Sequence, residues 1–91
     1  MLRAAGPDAM ALVRAAAGRS DAVLDWALLR IGILAPLDLT AIRSVVGRPS
    51  AVLIATANAD GHRIVEVVED GYPVARIHHD GQVVVMARAA A

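Results

Sequence analysis

Three histidines are the residues whose type and spacing could most directly do chemistry. His62, His78 and His79 lie near the ends of two predicted strands. In a hairpin joined by a two-residue turn, His62 and His79 face each other, with Asp60 and Asp80 close by. Two imidazoles and a carboxylate can hold a divalent metal. Their spacing matches no established metal motif, however, and exposed strand ends often carry histidine, so we expect no metal and no cofactor.

Other kinds of catalytic site find little support in the sequence. The chain contains no cysteine, which excludes disulfides, thiolate zinc sites and cysteine nucleophiles. Its Asp-Gly pairs are typical of turns and not of a phosphate-binding loop. The spacing indicates no Ser-His-Asp arrangement and no pair of catalytic carboxylates. We therefore expect a protein that is not an enzyme.

Charge and composition limit the classes of partner. Nine arginines balance nine acidic residues and lysine is absent, so binding of nucleic acid would need a local cluster of arginines. Apolar residues make up 57% of the chain, above the about 45–50% of ordinary domains. A small domain cannot bury so much apolar surface alone. We therefore expect a second copy or another protein to cover part of it.

The sequence favours a cytoplasmic protein without membrane contact. No apolar run is long enough to span a membrane. The Ala-rich N-terminus has some features of a signal peptide, but Pro7, Asp8 and Arg14 interrupt what would be its apolar core.

Cap residues and apolar spacing predict three helices in the first half of one domain. The first lies within residues 1–19. Ser20 caps the second helix, and Asp38 caps the third, which spans 39–46 and is closed by Gly47. These elements precede a run of strand-like segments separated by Asp-Gly.

The interpretation of the middle of the chain depends on residues 37–71, LDLTAIRSVVGRPSAVLIATANADGHRIVEVVEDG. The pattern L-x-x-I-x-x-x-V-G, followed by a turn, a second helix and a β-hairpin, resembles the winged helix-turn-helix family. Residues 49–59 are then the second helix of the motif, because Pro49 suits a first helical position and the alanines at 51, 55, 57 and 59 favour a helix. The resulting α+β domain has an N-terminal helix (1–19), a helical core (20–60) and antiparallel β-hairpins (61–88).

The same residues also allow a strand. Val52, Ile54 and Thr56 alternate, and β-branched residues favour strands. Asp-Gly recurs at residues 60–61, 70–71 and 80–81, an interval that strands of about eight residues joined by type I′ turns would give. The alternative fold is a helical N-terminal half packed on a four-stranded antiparallel meander.

Both faces of the predicted hairpins are apolar, and helices can cover only one of them. If Val67 lies opposite Val74, one face is formed by Ile64, Val68, Ala75, Ile77, Val84 and Met86. The other face is predicted to be a homodimer interface. Its residues are Val65, Val67, Tyr72, Val74, Val83 and Val85.

The family resemblance implies duplex DNA as a partner. In DNA-binding winged helices the second helix of the motif lies in the major groove and the hairpin touches the backbone. Carried over to this sequence, the DNA-binding residues are Arg43, Arg48, Ser50, Thr56, Asn58, Arg63 and Arg76. Residues 49–59 contain no basic side chain, which departs from the pattern of most DNA readers.

Two functions follow from these observations. The first expectation is a small, homodimeric DNA-binding regulator of transcription. The alternative is a non-catalytic protein-interaction module, an inhibitor or adaptor, which uses an apolar sheet face and binds no nucleic acid.

Overall fold

The computed structural model describes residues 7–34 and 38–86, which form three helices followed by a four-stranded antiparallel sheet. The elements are α1 (Pro7–Ala16), α2 (Asp21–Arg30), α3 (Leu39–Val46), β1 (Val52–Ala57), β2 (Arg63–Glu69), β3 (Tyr72–His78) and β4 (Val83–Val85). This α+β order confirms the alternative fold, a helical half packed on a four-stranded meander. The predicted segments 1–19 and 61–88 extend at their outer ends beyond the described residues.

The caps predicted from the sequence begin α2 and α3. Ser20 Oγ accepts a hydrogen bond from the Val23 amide at 3.3 Å, and Asp38 Oδ1 accepts one from the Ala41 amide at 3.0 Å. Such side chains satisfy amide groups that the first helical turn leaves without partners. Gly47 ends α3, as predicted.

The helical interpretation of residues 49–59 is wrong, because most of this segment forms β1. The strand pairs with β2 along its whole length, from Val52 opposite Val68 to Ala57 opposite Arg63. The resulting ladder satisfies the backbone of β1 and packs its β-branched side chains beside those of β2. This pairing outweighs the helix preference of the alanines.

Arg14 on α1 holds the connection that leads into β1. Its guanidinium donates to the carbonyl oxygens of Arg48 at 2.9 Å, of Pro49 at 2.7 Å and of Ala51. In a helix that began at Pro49, these carbonyl groups would instead accept bonds from amides four residues later. The Ala51 amide closes a tight turn onto the Arg48 carbonyl oxygen at 3.0 Å, and β1 follows directly.

Asp-Gly lies at all three reversals of the meander, but only the middle reversal is a two-residue turn. There Glu69 pairs with Tyr72, and Asp70 and Gly71 have φ values of 54° and 81°, as a type I′ turn requires.

The two outer reversals are wider. The Asn58 amide donates to the His62 carbonyl oxygen and the His78 amide donates to that of Gln82, both at 2.9 Å. Because neighbouring strands are antiparallel, these two loops lie at the same end of the sheet, and they carry His62 and His79.

A β-bulge at Val74 changes which side chains share a face. The register shifts here, so that Val67 lies opposite Ala75 and Val65 lies opposite Ile77. Because side chains alternate along a strand, one extra residue transfers the rest of β3 to the other face. The predicted grouping of Ala75 and Ile77 with Ile64 is therefore wrong.

The helices cover the face of the sheet that carries Val65, Val67, Ala75 and Ile77, each of which is 0% exposed. Side chains from all three helices complete this core. They include Val13, Leu24, Leu28, Ile42 and Val46. The opposite side of the sheet faces away from the helices.

Candidate protein-interaction surface

The side of the sheet that faces away from the helices carries apolar side chains around one pair of charges. We call it the outer face, and its members follow from the observed register and the alternation of side chains along each strand. They are Val52, Ile54, Thr56, Ile64, Glu66, Val68, Pro73, Arg76, His78 and Val84. Five of these ten are valine or isoleucine and one is proline, so the outer face is largely apolar.

The two edge strands expose much of this apolar surface. Val52 and Ile54 on β1 are 58% and 44% exposed, and Val84 on β4 is 40% exposed. Ile64 in the interior of the sheet is only 8% exposed. Apolar side chains that are open to water together mark interaction sites more often than single ones do.

Glu66 and Arg76 face each other at the centre of the outer face. Arg76 Nη2 lies 3.7 Å from Glu66 Oε2, and the two side chains are 40% and 28% exposed. This separation is longer than a hydrogen bond. Arg76 Nε is buried and has no hydrogen-bond acceptor among the described residues. The pair is therefore loosely engaged, and an exposed pair of this kind contributes about 0–1 kcal/mol to stability.

These two residues are the middle of a straight row across all four strands. Ile54 lies opposite Glu66, Glu66 opposite Arg76, and Arg76 opposite Val84. From β1 to β4 the row therefore reads apolar, acidic, basic, apolar. Sequence reasoning missed it because, without the bulge, Arg76 would lie opposite Val65 on the inner face.

The six residues predicted to be a homodimer interface do not share an open face. They are Val65, Val67, Tyr72, Val74, Val83 and Val85. Val65 and Val67 are buried beneath the helices, Val74 is 7% exposed, and Val83 packs against the core. Only Tyr72 and Val85 are open, at 58% and 71%. Val52, Ile54 and Val84, which are also exposed, lie on the outer face instead.

Of the residues carried over as DNA contacts, Arg43 and Arg48 bind other parts of the chain. Arg43 donates to Asp21 and to the carbonyl oxygens of Ala17 at 3.3 Å and Arg19 at 2.8 Å. Arg48 forms a two-point ion pair with Glu69, with distances of 2.7 and 2.8 Å. That hydrogen bonding, followed by Coulombic attraction to Glu69, raises the pKa of Arg48.

Arg63, the third arginine on that list, is buried. It is 5% exposed, and it donates through Nε to the Ile31 carbonyl oxygen at 2.9 Å and through Nη1 to that of Thr56 at 3.3 Å. The fourth, Arg76, lies beside Glu66 on the outer face. A guanidinium engaged in this way would have to exchange its partners before it could contact phosphate.

The polar residues carried over for base reading do not lie on a helix. Ser50 is exposed in the connection before β1, and Thr56 lies on the outer face. Asn58 forms the next turn, where its Oδ1 accepts hydrogen bonds from the Asp60 and His62 amides at 2.9 and 3.0 Å. The structure therefore does not gather these side chains on one surface that could enter a groove.

His62 and His79 come together, as the sequence predicts, but as a stack of rings. Their centroids lie 4.1 Å apart and the ring planes are inclined by 29°. His79 Nδ1 is buried and has no hydrogen-bond partner within residues 7–34 and 38–86. Asp80 Oδ1 accepts from the Gln82 amide at 3.0 Å. Among the described residues, no group of three or more His, Asp or Glu could hold a metal ion.

An open cleft lies beside this histidine stack. Asp38, Ala41, Asp80, Gly81, Gln82 and Val83 line it, and its volume is about 450 Å³. Both carboxylates already accept hydrogen bonds from backbone amides, Asp38 as the cap of α3 and Asp80 within its loop. These hydrogen bonds give both carboxylates a structural role.

A second apolar surface lies on α2. Trp26 and Leu29 are 49% and 53% exposed, and the Arg30 guanidinium lies 5.2 Å from the centroid of the Trp26 ring. This cation–π contact partly covers the tryptophan. The surface comprises one turn of one helix and is smaller than the outer face.

Within residues 7–34 and 38–86, no helix has both the length and the apolar character needed to cross a membrane. Comparison with family models, with curated proteins and with solved structures gave no match.

Proposed function

We propose that this chain is a small, non-catalytic protein-interaction module that binds its partner through the outer face of the sheet. The observation that carries the proposal is the exposure of Val52, Ile54 and Val84 around the loosely engaged Glu66–Arg76 pair. Apolar side chains that are exposed together on one surface mark sites of protein interaction more often than scattered ones do. Antiparallel sheets with one face on a core commonly have polar residues on the other, whereas the outer face here also carries five valine or isoleucine side chains.

DNA binding stays a prediction without a supporting observation. The segment that the family resemblance assigns to the major groove includes β1, and the arginines assigned to phosphate contacts are engaged within the chain. The chain carries no net charge, so attraction to DNA would depend on these same arginines.

Site-specific photocrosslinking in cells that make the protein tests the proposal. A photoreactive residue at position 54 or 84 of the outer face is expected to crosslink to one discrete protein species. The matched control is position 44, where exposed Ser44 lies on α3. Once purified, the captured protein should bind the wild-type chain, and it should bind the Ile54→Lys variant at least about tenfold more weakly. Equal crosslinking at positions 44 and 54 would contradict the proposal.

An electrophoretic shift series with random duplex DNA tests the other function. No shift is expected at low ionic strength. A shift that weakens with salt would favour the DNA-binding regulator instead.

A further inference from the structure

The outer face is complementary to a second copy of itself. We propose that two chains pack outer face to outer face across a two-fold axis that runs parallel to the strands, between β2 and β3. This inference rests on the proposed function, because it names the partner of the same surface.

The order of residues in the central row makes the outer face complementary to a second copy. Ile54, Glu66, Arg76 and Val84 lie side by side across β1, β2, β3 and β4. Rotation about the proposed axis places β2 over β3 of the second copy, and β1 over its β4. Glu66 then meets Arg76 of the second copy, and Ile54 meets Val84. Each contact occurs twice, as a two-fold interface requires.

The charges in each copy retain the capacity to form these contacts. Within one chain, Arg76 and Glu66 are 3.7 Å apart, and Arg76 Nε has no acceptor within the described residues. A second carboxylate and a second guanidinium complete a ring of four alternating charges. Such a ring gives each charge two partners of opposite sign, which offsets the cost of removing it from water.

The dimensions of the sheet determine what kind of dimer to expect. Four strands spaced about 4.8 Å apart, with about six residues of about 3.4 Å each, cover a flat area of about 400 Å² per copy. A standard interface buries about 800 Å² per partner. The dimer is therefore expected to be weak, with dissociation in the micromolar range, and its two sheets should lie about 10 Å apart.

Sedimentation equilibrium of the full chain, from about 5 to about 200 µM, is the first measurement. The mass is expected to rise with concentration from the 9.4 kDa of one chain towards twice that value. Ile54→Lys should remain monomeric over this range with an unchanged circular dichroism spectrum. The matched control is Leu29→Lys on α2, which places the same charge on the other exposed apolar surface and should associate as wild type does.

Charge reversal tests the arrangement itself. Glu66→Arg gives an outer face with two positive charges, and Arg76→Glu gives one with two negative charges. Each variant alone is expected to associate at least about tenfold more weakly than wild type, because like charges then meet across the axis. An equimolar mixture of the two should form heterodimers at least as tightly as wild type forms homodimers.

This mixture separates interface contacts from effects within one chain. In either variant the two central charges of a single chain repel each other, and mixing does not alter that. Recovery of association in the mixture can therefore come only from contacts between chains.

A wild-type mass of one chain up to about 200 µM would overturn the proposal. A dimer that survives Ile54→Lys would also overturn it, and so would a mixture of the two charge-reversed variants that stays monomeric. A monomeric chain that still crosslinks at position 54 to a different protein overturns the second copy and leaves the proposed function standing. The proposed function itself fails when crosslinking at position 54 does not exceed that at position 44.

Discussion

The buried guanidinium of Arg63 donates through Nε to the carbonyl oxygen of Ile31 at 2.9 Å, which fastens the start of β2 to the C-terminal end of α2. The contact places a cation at the end of the helix where carbonyl groups lack partners and the helix dipole is negative. It is a polar link between the helical layer and the sheet.

Arg63→Met is expected to lower the free energy of unfolding by about 2–4 kcal/mol. It removes the hydrogen bonds to the carbonyl oxygens of Ile31 and Thr56, and the loss of hydrogen bonds from a charged group is costly. Urea denaturation measures the change. The matched control is Arg19→Met at an exposed position, which should change stability by less than about 0.5 kcal/mol. Equal effects of the two substitutions would contradict this role.

Arg14→Ala is expected to lower the free energy of unfolding by about 1–2 kcal/mol. The reason is the loss of three hydrogen bonds to the connection before β1. In a hydrogen-exchange experiment, the substitution should speed up exchange of the β1 amides relative to wild type, and by more than it does for the β2 amides. Arg14→Lys should recover only part of the stability, since an ammonium group lacks the fork that reaches several carbonyl groups. Unchanged exchange in β1 would rule out this clamp.

Gly71→Ala is expected to cost about 1–2 kcal/mol, because φ at this residue is 81° and L-residues are strained there. A Cβ at Gly71 would meet nothing within 4 Å, so backbone strain alone accounts for the loss. Thermal unfolding should show a lower Tm. Gly18→Ala is the matched control, because its new Cβ makes only an ordinary contact at 3.7 Å. Gly71→Asn should cost less than Gly71→Ala, since asparagine tolerates this conformation.

The stabilisation that Arg48 provides through Glu69 is expected to be constant from about pH 7 to about pH 10. The pKa of Arg48 is raised in the folded chain, so its contribution is complete below the unfolded-state pKa and is lost only as the pH rises through the folded-state pKa. Both values lie above this range. Urea denaturation of wild type and Arg48→Met at several pH values checks it. A difference in stability that shrinks between these limits would show that another group titrates with the pair.

The helical half of the fold could be predicted because its signals are local. A cap acts on amides three residues away, so Ser20 and Asp38 identify the starts of α2 and α3 from the sequence alone. Whether Val52–Ala57 forms a helix or a strand depends instead on pairing with β2 and on Arg14, which lies more than 30 residues earlier in the chain. A window of about 11–18 residues centred on this segment, the usual span for judging helix against strand, contains neither partner.

The candidate site could be predicted only in part, for a different reason. An apolar sheet with an uncovered face follows from composition and alternation. Which side chains occupy that face depends on the bulge at Val74, and its one local hint is Pro73, because proline within a sheet is confined to edges, strand starts and bulges. The misassignment moved Val65 and Val67 outward and separated Arg76 from Glu66.

All three helices precede all four strands in the chain, and this order has a consequence for synthesis. Translation delivers the apolar stripes of α1, α2 and α3 before β2 and β3, whose Val65, Val67, Ala75 and Ile77 cover them. The nascent helical half cannot complete its core until the second half has left the ribosome. Until then its exposed apolar surface is a substrate for chaperones.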